Sequence, residues 1–89
     1  MLVATNSAEF EAQIMQWERK RAKLSDKQLR YLRLVAKGYT RAAIARICSA
    51  NAKTIDSHIS GAYKKLGVAG SIEALIELGY LIHPSVLGL

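Results

Sequence analysis

The residues best equipped for chemistry lie between Gly38 and Val68, in GYTRAAIARICSANAKTIDSHISGAYKKLGV. In the second half of that stretch Ile55, Ile59, Ala62 and Leu66 recur at i, i+4, i+7 and i+11. The spacing puts one apolar stripe on one side of a helix and leaves the other side free. The free side carries Lys53, Asp56, Ser57, Ser60, Gly61 and Lys64, all polar or small. In the first half Ala42, Ala43, Ile44, Ala45 and Ile47 make a compact helix of little bulk, able to lie close beside its neighbour. Ser49-Ala50-Asn51 separates the two. Such an arrangement reads as a DNA-binding helix-turn-helix, whose chemistry is charge and hydrogen bonding.

Covalent and metal chemistry find no support. His58 and His83 are the only histidines, and neither has a carboxylate or cysteine at a metal-ligand spacing. No phosphate-cradling glycine loop and no nucleophile-and-base pair occurs. Tyr31, Tyr39, Tyr63 and Tyr80 fall on different elements and make no base-stacking platform. Cys48, the single cysteine, excludes an internal disulfide and reads as a small buried apolar residue. The sequence therefore implies no enzyme, no cofactor and no small-molecule ligand, and His58 reads as a packed or phosphate-adjacent side chain.

Eighty-nine residues make one small domain with a modest core. Apolar runs are too short for a membrane span, and the N-terminus lacks the basic lead and apolar region of a secretory signal. A cytoplasmic location is expected. The net charge of +6 is unevenly spread. Residues 1–18 hold Glu9, Glu11 and Glu18 and no base, whereas residues 19–65 hold all thirteen Lys and Arg against only Asp26 and Asp56. Glu73 and Glu77 follow. A basic middle between acidic ends suggests a polyanion-binding surface on the central helices.

The elements that must position these residues are all helical. Asn6 with Glu9 forms a capping box for a first helix to about Ala22, where Phe10, Ile14 and Trp17 make a narrow apolar stripe. That stripe either packs on the rest of the domain or is a dimer or partner surface; the area a small domain needs favours packing. Ser25 caps a second helix with Leu29, Leu32, Val35 and Ala36 inward and Lys27, Arg30, Arg33 and Lys37 outward, closed by Gly38. Thr40 caps a third helix, Asn51 a fourth over 52–66 closed by Gly67, and Ser71 begins a last helix that Pro84 prevents from continuing. Gly61 inside the fourth helix reads equally as a close approach or as tolerated drift. The expected class is all-α, divided into an extra helix over 1–23, a helix-turn-helix domain over 24–83 and an apolar tail over 84–89.

From Leu24 to about Ile82 the sequence resembles the LuxR/GerE type of helix-turn-helix domain. The resemblance rests on Leu24-Ser25 and Leu32 ahead of Gly38, Ile44-Ala45, Lys53-Thr54-Ile55, His58, Lys65-Leu66-Gly67-Val68, Glu73-Ala74 and Leu78-Gly79-Tyr80-Leu81-Ile82. It implies a four-helix domain whose helix 52–66 enters the major groove of double-stranded DNA. It implies further that Asp56, Ser57 and Ser60 lie closest to base edges. Arg41, Arg46, Lys53, Thr54, Lys64 and Lys65 would then suit phosphates. The last helix, about 71–81, would form a homodimer contact through Ile72, Leu75, Ile76 and Gly79. Relatives usually carry glutamate where Gln28 and Ala43 stand, and a lysine or other base-reading residue where Asp56 stands. An aspartate there can accept from cytosine N4 but repels the phosphate backbone. Residues 1–23 are too short for a receiver or ligand-binding domain, which suggests a free-standing member of the family.

Two functions follow: a homodimeric, sequence-specific transcription regulator, or a protein-binding module that pairs with a larger regulator or the transcription machinery. Asp56 and the Phe10/Ile14/Trp17 stripe motivate the second.

Overall fold

The computed structural model describes residues 7–82, which form five helices and no strand. They are α1 (Ser7–Arg21), α2 (Asp26–Ala36), α3 (Arg41–Ile47), α4 (Ala52–Leu66) and α5 (Ser71–Glu77). The expected cap at Asn6, together with His83, Pro84 and the apolar tail, lies outside the described residues.

Each of α2, α3 and α4 begins at the residue its sequence marks. Ser25, Thr40 and Asn51 accept from the backbone N–H groups of Gln28, Ala43 and Thr54, satisfying donors the first turn leaves free. At Ser25 the capping box is complete, because its own N–H donates to Gln28 Oε1 at 2.9 Å. The helices α2 to α5 also end alike. Gly38, Ser49, Gly67 and Gly79 all have positive φ, and the residue after each donates to a carbonyl five residues back. Ser49, at φ 52°, is the one non-glycine at such an end, and it forms the turn between α3 and α4.

The core gathers Leu24, Tyr31, Leu32, Ile44, Ile55, Ile59, Ala62, Leu75 and Leu78 between α2, α3, α4 and α5. On α4 the buried residues are Ile55, Ile59 and Ala62, as the stripe predicts, with Leu66 packed at their edge. On α2 the buried face is rotated from expectation: Gln28, Tyr31 and Leu32 are inside, Leu29 and Val35 partly so, and Ala36 is exposed. Tyr31 can be buried because its ring meets His58 edge-on, centroids 5.5 Å apart, so His58 is a packed side chain. Cys48 is half-buried against the core at the C-cap of α3.

α1 joins the domain through its last turns. Trp17 is 8% exposed, its indole lying on Gly79, while Phe10 and Ile14 are only half-buried. α5 has no basic residue in its own last turn, and α1 supplies two. Arg21 Nε donates to the Leu78 carbonyl at 2.7 Å, with its guanidinium 4.9 Å from the Tyr80 ring centroid, and Lys20 pairs with Glu77. A cation at that end complements the helix dipole. α5 stops at Glu77, short of the expected 71–81, because Gly79 turns left-handed and the Tyr80 and Leu81 N–H groups both return to the Leu75 carbonyl.

A Cβ at Gly79 would stand 2.5 Å from Trp17 Cδ2, whereas one at Gly67 would meet nothing within 4 Å. Gly67→Ala carries only the left-handed strain, about 1–2 kcal/mol. Gly79→Ala adds a clash and is expected to cost about 2–5 kcal/mol in denaturant unfolding. Equal losses would show that the indole is not seated on Gly79.

Candidate nucleic-acid interface

The polar side of α4 repeats the period of its apolar side. Lys53, Ser57, Ser60 and Lys64 stand at i, i+4, i+7 and i+11, two residues out of step with Ile55, Ile59, Ala62 and Leu66. At about 100° per residue, two residues turn the helix through roughly 200°, so the stripes lie on opposite sides. All four members of the outer stripe are exposed. Lys53 and Thr54 occupy a first turn without an acidic residue, where the positive end of the helix dipole favours an anion. Lys64 and Lys65 occupy the last turn.

Between the stripes run two flanks, each tied to a neighbouring helix. On the α3 side, Arg41 Nε donates to Asp56 Oδ1 at 2.9 Å, and Arg41 Nη2 reaches the Tyr63 hydroxyl oxygen at 3.5 Å. Of the three expected base readers, Ser57 and Ser60 are on the outer stripe and Asp56 is on this flank. Arg41, expected at a phosphate, is held against Asp56. Arg46 is exposed at the far end of α3.

On the α2 side, Lys65 Nζ donates to Gln28 Oε1 at 3.2 Å, the atom that already accepts from Ser25 N–H. Gly61 lies against the same amide: a Cβ there would come within 3.1 Å of Gln28 Nε2. The close approach is therefore to a side chain rather than to a backbone. Gln28 thus serves three contacts from one buried position, which its polar character concealed in the sequence.

The residues expected at a dimer contact separate. Ile72 is 65% exposed and Ile76 half-buried, but Leu75 is 6% exposed within the core and Gly79 lies beneath Trp17. On α5 the apolar surface left exposed is that of Ile72, with the outer side of Ile76, because the domain's own packing uses Leu75 and Gly79. The motives for a protein-binding module are likewise partly spent, since Asp56 is paired and Trp17 is covered.

Short α3, a tight turn and α4 with its outer face unobstructed define a helix-turn-helix protein. Residues 22–78 match the profile of the bacterial regulatory proteins, luxR family, and the chain belongs to that family. The match takes in α2 to α5 and leaves the whole of α1 outside it. No curated protein and no solved structure matches the chain.

Gly61→Ala should gain about 1 kcal/mol in helix propensity, but the Gln28 amide, anchored at its oxygen, leaves the methyl too little room. The expected result in thermal unfolding is a lower midpoint for Gly61→Ala in the parent chain. In a Gln28→Ala background the same change should raise it. A gain in both backgrounds would mean that Gln28 yields freely.

Proposed function

We propose that the domain binds double-stranded DNA as a homodimer, with α4 in the major groove, and so regulates transcription from specific sites. The observation that carries this reading is the outer stripe of α4. Lys53, Ser57, Ser60 and Lys64 are exposed along one line, opposite the buried stripe, and none makes a side-chain hydrogen bond or ion pair among the described residues. An α-helix fits the major groove, where each base pair shows a distinct pattern of donors and acceptors. Ser57, Ser60 and Asp56 are assigned to base edges, and Arg46, Lys53, Thr54, Lys64 and Lys65 to phosphates. Phosphate contacts fix the register, and base contacts supply the selectivity. The role is a cytoplasmic one, and no helix among the described residues is long and apolar enough to cross a membrane.

Lys53→Ala and Lys64→Ala should each weaken binding to any duplex and lower the slope of log affinity against log salt by about one. Fluorescence anisotropy over a salt series measures both quantities. Unchanged affinity in both variants would remove α4 from the interface.

The dimer is assigned to the exposed side of α5, where Ile72 leaves a large apolar surface in water. Ile72→Glu should convert a dimer to a monomer in light scattering and abolish preference for a two-fold symmetric site. A parent chain that is monomeric, or a dimer indifferent to this change, refutes the assignment.

A further inference from the structure

We infer that Arg41 is a positioning residue for Asp56, and that the pair gives the domain its preference for cytosine at one position of its site. The inference rests on the DNA-binding reading above and adds to it the identity of a base and the group that makes its recognition workable.

Asp56 stands on α4 beside the outer stripe with its side chain 59% exposed, and Arg41 begins α3 with its side chain 35% exposed. An ion pair this open to water adds little to the stability of the fold. Its effect on what α4 presents is larger. Alone, a carboxylate on a helix entering a groove meets the charge of two phosphate backbones, within the distance over which salt does not screen. With Arg41 at 2.9 Å the two groups together carry no net charge.

The contact is single. It uses Asp56 Oδ1 and leaves Oδ2 without a partner among the described residues. The Tyr63 oxygen, 3.5 Å from Arg41 Nη2, steadies the guanidinium from the next turns of α4. The pair thus leaves a fixed, neutralised carboxylate with one oxygen free.

A carboxylate only accepts hydrogen bonds. In the major groove guanine offers two acceptors, thymine an acceptor and a methyl group, and adenine a donor next to an acceptor. Cytosine offers the N4 amino donor with no acceptor beside it on its own edge. Oδ2 of Asp56 therefore selects cytosine. Arg41 earns its effect through Asp56 rather than through a phosphate.

The test starts from the motif that the parent chain enriches from random duplex DNA. Each C·G pair of that motif is changed in turn to T·A, and the affinity ratio is measured for the parent, Arg41→Ala, Asp56→Ala and the double variant. The parent should favour one cytosine by roughly tenfold or more. That ratio should fall close to one in both single variants, with no further fall in the double variant.

A full ratio in Arg41→Ala, with the salt slope lowered by about one, would make Arg41 an ordinary phosphate contact and overturn the inference. A full ratio in Asp56→Ala, or a parent that binds selectively with no such cytosine, overturns it as well. A parent that binds no duplex defeats the DNA reading itself, and the inference with it.

Discussion

Ile55, Ile59 and Ala62 are buried completely or nearly so, and that burial governs what the opposite side of α4 can present. Truncating a buried isoleucine costs about 2–5 kcal/mol, a large part of the 5–15 kcal/mol that holds a typical domain together. The helix therefore has little freedom to roll. With its apolar stripe seated on α2, α3 and α5, the Lys53–Lys64 line points outward and each flank meets one neighbour. Arg41 reaches Asp56 because α3 lies on one flank, and Gln28 reaches Lys65 because α2 lies on the other. The ends of the helices keep this frame short. The left-handed residue closing each of α2 to α5 turns the chain back at once, so the connections leave the helices close-packed.

α1 extends the frame beyond the stretch that matches the family. The main ties are Trp17 on Gly79 and Arg21 on the Leu78 carbonyl, both at the C-terminal end of α5. One bond satisfies a carbonyl that a helix end leaves without a partner, and the other covers a site where only glycine fits. α5 is seven residues long, too short to hold itself in water, and it gains from α1 the cation its own sequence lacks.

Much of this was legible in the sequence, and what was hidden had physical reasons. The α4 stripe and the caps at Ser25, Thr40 and Asn51 are local signals, read from residues a turn apart. Gly38 and Gly67 marked their helix ends, but Ser49 has no such signature, since a serine at positive φ is imposed by the turn it completes. Gln28 did not look like a core residue because the sequence does not show how its amide is satisfied, by Ser25 and Lys65, and Tyr31 did not because its ring is packed by His58 from another helix. Ala36 looked inward by spacing and is exposed, because the face of α2 that Gln28, Tyr31 and Leu32 define points elsewhere. On α5, apolar residues fall on both sides of a short helix, so Ile72 and Leu75 could not be sorted into outside and inside by period alone. The Arg41–Asp56 pair joins residues fifteen apart across a turn, and no periodicity reports a contact of that kind.

The two-residue offset between the stripes of α4 has a consequence for how the domain can vary. The exposed side chains at 53, 57, 60 and 64 point away from the stripe at 55, 59, 62 and 66, so a change in the first set leaves the second in place. Exposed substitutions of that sort shift stability by only about 0.5 kcal/mol. The outer line can be rewritten residue by residue while the same fold persists, and the surface that α4 presents can drift without passing through an unfolded ancestor. Position 56 is the exception. It is tied to Arg41, so a new residue there also releases that guanidinium and changes what the α3 flank presents.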